Sequence, residues 1–198
     1  MGGTRVKIKK KPKAELEPRT IHLKKSEGTA SLYEWVHSLV FAVAIVVVIL
    51  TFFLRLVDVS GTSMLQTLKS EDKVIVTNFF YTPNHGDIVV ISHGAEYSKP
   101  LIKRVIATEG DRLEIDFETE TVKVNGEVLK ESYIQGHTRD EQGEIPAVIP
   151  EGKVFVMGDN RTVSLDSRSP EIGLIDEKDI IGKAQFVVFP FNHIKFVG

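Results

Sequence analysis

The chain has no cysteine. Disulfides, thiolate nucleophiles and cysteine-rich zinc sites are therefore excluded together, and no compartment is read from redox chemistry. Charge of one sign is lacking too. The 25 lysines and arginines against 27 aspartates and glutamates leave a net charge of −2, so no extended basic surface for nucleic acid is predicted. Histidine is scarce, at six residues, with no HExxH and no tight His–carboxylate cluster, so no metal and no cofactor are expected. A length of 198 residues admits one compact domain with appendages.

What is present begins with a polar, cation-rich tail, residues 1–34, broken by Pro12, Pro18 and Gly28 and expected to be disordered over most of its length. From Trp35 to Leu54 no residue carries a formal charge. Twenty residues at about 1.5 Å rise cover roughly 30 Å, the thickness of a bilayer's hydrocarbon core. A transmembrane helix over 35–57 is predicted, with Tyr33 and Trp35 as interfacial aromatics. The competing reading, a cleaved signal peptide, would have a shorter apolar region nearer the N-terminus and small residues at its end. Here the bulky Phe52-Phe53-Leu54 stands in that place. Cations outnumber those after the span, which predicts a cytoplasmic N-terminus and an extracytoplasmic domain over 58–198, in a single-pass protein of the cell membrane.

That domain reads as mostly β. Short β-branched runs lie at Lys73–Phe80, Gly86–Ser92, Leu101–Ala107 and Lys153–Met157, and again from Ile180 to Phe189 with a further piece near Ile194. Asn125-Gly126 inside an alternating run marks a hairpin, and residues 132–150 form a long polar loop. Phe79-Phe80-Tyr81 and Phe189-Pro190-Phe191 are read first as core, with an apolar surface resting on the bilayer as the alternative.

Three stretches could carry chemistry. Ser60-Gly61-Thr62-Ser63-Met64 is a small hydroxyl-rich turn just past the span, and Ser63 is read as a nucleophile acting on peptides at the membrane surface. A serine nucleophile needs a base, usually histidine. His22 falls in the tail and His37 in the span, while His85, His93, His137 and His193 fall in turns, loops or the C-terminal stretch, and none suits the part. Lys103, between Leu101-Ile102 and Val105-Ile106, could serve instead if burial keeps it neutral. A lysine that blocks aggregation on an edge strand would show the same pattern, so both readings stand. Gly158 to Arg168 packs turn formers, hydroxyls and an Asp–Arg set into eleven residues, either as part of a site or as a plain surface loop.

Taken together, Ser60-Gly-Thr-Ser-Met-Leu-Gln-Thr-Leu68, Gly86-Asp-Ile-Val-Val, Lys103-Arg-Val-Ile with Gly110-Asp111, and Gly158-Asp-Asn-Arg with Ser164-Leu-Asp-Ser-Arg168 resemble, in order, the boxes of the bacterial type I signal peptidases. The resemblance spans nearly the whole chain. It implies a serine endopeptidase that removes signal peptides from exported preproteins after Ala-x-Ala-like sites at the lipid bilayer. It implies an antiparallel β catalytic core with a smaller β insertion over residues 112–150. By the same resemblance Ser63 is the nucleophile and Lys103 the general base. The Ser63 N–H and the Ser60 hydroxyl form the oxyanion hole, and Ser164 hydrogen-bonds and orients Lys103. Asp159, Asp166, Arg104 and Arg168 hold the frame through ion pairs, and Gly158 allows close backbone approach. Two departures stand out: Gln66 replaces a usual proline, and Ala107-Thr-Glu109-Gly-Asp replaces Gly-x-Pro-Gly-Asp. They leave open an alternative, a catalytically silent membrane-tethered homologue that acts as an assembly factor or chaperone.

Overall fold

The computed structural model describes residues 27–198, and the expected disordered tail lies for the most part outside them. Helix α1 runs from Glu27 to Phe53, 27 residues or about 40 Å. Within it Ser31–Ile49 is long and apolar enough to cross a membrane, at mean hydropathy 2.1. Its apolar side chains point outward, as Phe41 does at 63 % exposure, an arrangement that lipid favours and water opposes. The chain divides into two compact units at Ala44/Ile45.

The predicted span ran to residue 57, but helical structure ends at Phe53. Leu54–Asp58 is strand β1, paired antiparallel with β2 (Lys73–Thr77) from Leu54↔Thr77 to Asp58↔Lys73. The remaining strands of this sheet are β3 (Ile88–Ile91), β4 (Leu101–Ala107), β8 (Lys153–Met157), β9 (Ile175–Asp176), β10 (Ile180–Phe189) and β11 (Lys195–Phe196). Their order is β1-β2-β10-β3-β4-β8-β9, with β11 on β10, and every pairing is antiparallel. A second, three-stranded sheet holds β5 (Leu113–Asp116), β6 (Thr121–Val124) and β7 (Glu127–Val128). Its β6–β7 turn uses Asn125 at φ 54° and Gly126 at φ 83°, the left-handed pair that a two-residue hairpin of the I′ type requires.

Both faces of the larger sheet are covered, which explains its unbroken apolar runs. In β3, Ile88 and Val90 join a cluster with Met64, Leu68, Val74 and Val76, while Val89 and Ile91 join another with Val105, Val154 and Ile172. A third cluster, around Ile106, Phe155 and Met157, takes in Leu113, Val122 and Val124 of the small sheet. Of the aromatic rings preferred as core, Phe79, Phe80, Phe189 and Phe191 are surface, while Tyr81 is half-buried against the Val89–Ile91 cluster. Phe80 is 90 % and Phe191 79 % exposed, because both lie beyond the ends of β2 and β10, where no neighbouring strand covers them.

Candidate active site

The β1–β2 connection carries the two serines. Its neck is closed by Val59 N–H donating to Asp72 O and Glu71 N–H donating to Val59 O, and Met64 and Leu68 anchor it in the core. Ser63 is thereby left half-buried and Ser60 exposed. Gln66 adopts φ 79°, a conformation that proline, held near −65°, cannot reach. Proline therefore does not fit this turn as it is built here.

Lys103 reaches the same place from β4. That strand pairs with β3 on one side and β8 on the other, so Lys103 sits inside the sheet, and the edge-strand reading fails. Its side chain is 2 % exposed, with Nζ 2.8 Å from Ser63 Oγ and 3.1 Å from the Ile102 carbonyl oxygen. Burial lowers its pKa to about 8, against the pull of Asp166, Asp159 and Glu141, which favour the ammonium form. The two side chains meet in a groove of about 450 Å³, lined further by Ser60, Val90, Tyr97, Leu101 and Ile102. No histidine among the described residues lines it. His85, His93, His137 and His193 each pair with a carboxylate elsewhere, on Asp111, Asp179, Glu120 and Asp72.

The Gly158–Arg168 loop leaves the end of β8 beside Lys103 and is buried except at Thr162, Val163 and, in part, Leu165, so it is no plain surface loop. Arg104 donates through two nitrogens to Asp159 at 2.8 and 2.7 Å, and Arg168 does the same to Asp166 at 2.8 and 2.8 Å. Such bidentate pairs fix direction as well as distance. Gly158 is needed for space: a Cβ there would fall 2.2 Å from Ser164 Oγ and 2.5 Å from the Ser63 carbonyl oxygen. Ser164 departs from its expected role. Its Oγ is buried, has no hydrogen-bond partner among the described residues and packs on Gly158, while Lys103 bonds Ser63 and Ile102 instead.

Several neighbours were not singled out in the sequence. Tyr133 lies under Arg104, with the guanidinium carbon 3.9 Å from the ring centroid, and Thr67 donates to Asp159. Arg161, fully buried, pairs with Glu131. Arg161 and Asn160 lie within the quoted box and could have been singled out there. Glu131 and Tyr133 come from the long loop, where nothing local marks them. Glu109, the other departure, accepts a hydrogen bond from Gly152 N–H at 2.8 Å and ties two turns together away from the groove.

The family model described as "Signal peptidase, peptidase S26" matches residues 32–189. The chain is similar to signal peptidase I of Bacillus licheniformis, at 37 % identity over 83 % of this chain and 92 % of that protein. It is similar to signal peptidase IB of Staphylococcus aureus (strain MRSA252), at 34 % identity over 83 % and 93 %. A crystal structure of a signal peptidase I from Enterococcus faecalis V583 aligns at 25 % identity and a TM-score of 0.43, over 52 % of this chain and 97 % of that one.

Proposed function

The chain belongs to the signal peptidase family, peptidase S26, and from that premise we propose a membrane-anchored Ser/Lys endopeptidase that removes signal peptides from exported preproteins. Its activity is that of a signal peptidase I, a serine endopeptidase. The observation that carries the residue assignment is the 2.8 Å contact between Lys103 Nζ and Ser63 Oγ on the wall of a groove.

A neutral Lys103 amine donates to the Ile102 carbonyl and accepts the proton of Ser63 as Oγ attacks the scissile carbonyl carbon. The resulting oxyanion lies toward the Ser63 N–H and the Ser60 hydroxyl, and one such donor is worth about 3 kcal/mol of barrier. The lysine ammonium then protonates the departing amine, leaving an ester on Ser63. Neutral again, Lys103 activates the water that hydrolyses the ester. Arg104–Asp159 and Arg168–Asp166 hold the strand and loop that bring the dyad together. The groove's apolar side chains, Val90 and Ile102 among them, suit the small residues of an Ala-x-Ala substrate. The helix anchors the enzyme in the membrane, and the cation-rich N-terminal stretch supports a cytoplasmic N-terminus with the catalytic β domain, residues 58–198, outside. The separate sheet β5–β7 supports a non-catalytic insertion over 112–150.

No observation favours the catalytically silent alternative. The test is cleavage of a preprotein carrying an Ala-x-Ala site by the full chain in detergent. Wild type is expected to cut, and Ser63→Ala and Lys103→Met to be inert while folded. Full processing by either variant would overturn the assignment.

A further inference from the structure

Resting on the assignment of Ser63 as nucleophile, we infer that Asn160 is a positioning residue that aims the Ser63 N–H into the groove. Ser63 is joined to Thr62 by a trans peptide bond, and the only cis bond among the described residues is Phe189–Pro190. In a planar trans peptide the carbonyl and the N–H point in opposite directions, so whatever fixes the Thr62 carbonyl also fixes the Ser63 N–H. Asn160 Nδ2 donates to the Thr62 carbonyl oxygen at 3.2 Å. The Asn160 backbone N–H donates to the next carbonyl along, that of Ser63, at 2.9 Å. One residue thus holds the acceptors on both sides of the nucleophile, drawing them toward the Gly158–Arg168 loop.

Asn160 is itself held from behind. Gln135 N–H donates to Asp159 O and Arg161 N–H donates to Gln135 O, each at 2.8 Å, so Gln135 bridges the residues on either side of Asn160. Arg161, fully buried and paired with Glu131, fixes the next position. The long loop after the small sheet therefore supports the oxyanion donor through a chain of three contacts: Gln135 to Asn160's neighbours, Asn160 to Thr62, and Thr62 through its peptide plane to Ser63. The Thr62 carbonyl has a second donor in Leu65 N–H at 3.1 Å. Removing the Asn160 side chain therefore loosens the plane without freeing it.

An oxyanion donor acts on the tetrahedral intermediate and little on the bound substrate, so the loss should fall on kcat. The test uses the full chain in detergent micelles, with wild type, Asn160→Ala and Asn160→Asp. Asn160→Asp is nearly isosteric and keeps the backbone N–H to Ser63 while deleting the side-chain donor, which covers the case in which the alanine variant fails to fold. Measured are kcat, KM, the acid limb of the pH–rate profile and affinity for a peptide boronate, which forms a tetrahedral adduct on the nucleophile. Expected for both variants is a kcat loss of about 10- to 100-fold, below the full loss of a donor. KM should stay within about twofold, the acid limb of Asn160→Ala should not move while the added carboxylate of Asn160→Asp shifts its limb to higher pH, and boronate affinity should fall by the same factor as kcat/KM. A wild-type plateau kcat in either variant, or a loss expressed through KM or, in Asn160→Ala, through a displaced acid limb, would overturn the inference. A Ser63→Ala enzyme that still cleaves would overturn the nucleophile assignment itself, a distinct result.

Discussion

Replacing Lys103 by methionine should abolish cleavage and at the same time make the protein more stable at neutral pH. The reason is the cost of holding a buried lysine. Its pKa falls from 10.5 to about 8 on folding, a difference of 10.5 − 8 = 2.5. At about 1.36 kcal/mol per unit this is a penalty of roughly 3 kcal/mol on the charged form at pH 7. Against it stand the contacts to Ser63 Oγ and the Ile102 carbonyl, worth about 1 kcal/mol each, and Ser63 can turn to solvent through the groove. Methionine has a similar length and no charge, so a net gain of about 1–2 kcal/mol is expected. The pH dependence separates this account from simple repacking. Below pH 8 the lysine is protonated in both folded and unfolded states, and the penalty is fully present. Between pH 8 and 10.5 the unfolded state binds more protons than the folded one, so wild-type stability gains with pH relative to the variant, and above 10.5 the penalty is gone. Urea titrations of the full chain in detergent, followed by circular dichroism at several pH values, measure the gap. A Lys103→Met protein less stable than wild type at pH 7, or a gap that does not change from pH 7 to 10.5, would refute the reasoning.

The same group should appear in kinetics. Wild-type kcat/KM is expected to fall tenfold per pH unit below about 8, and Glu141→Gln, which removes a charge that favours the ammonium, should move that limb to lower pH. Gln66→Gly should stabilise the protein by about 1 kcal/mol by relieving the left-handed backbone, and Gln66→Pro should destabilise it, both read from urea midpoints. Gly158→Ala should cost about 2–3 kcal/mol and most of the activity, since its Cβ would displace the Ser63 carbonyl or Ser164. A fully active, equally stable Gly158→Ala would show that this corner is looser than drawn.

What local pattern determines, the chain made plain. A twenty-residue uncharged run can satisfy its backbone only as a helix in lipid, so the membrane segment was legible from composition. Asn125-Gly126 announced its hairpin because few residue pairs tolerate two left-handed conformations in a row. Most strands of the larger sheet were legible from their short β-branched runs. The exceptions show where local reading ends. Leu54–Asp58 continues an apolar run, and only pairing with Lys73–Thr77 makes it a strand. Phe80 and Phe191 look like core residues, and only their place past the strand ends exposes them. Lys103 is the sharpest case. A lysine flanked by aliphatic residues reads alike on an edge and in the middle of a sheet. The order β3-β4-β8 decides between them, by burying the amine and lowering its pKa, while the β1–β2 turn brings Ser63 to 2.8 Å. The residues supporting that pair, Asn160, Glu131 and Tyr133, act across 29 to 98 positions of chain. No periodicity reaches that far. Contacts between distant segments exist only once folding has made them neighbours, and it is there, not in the serine turn alone, that the site is assembled.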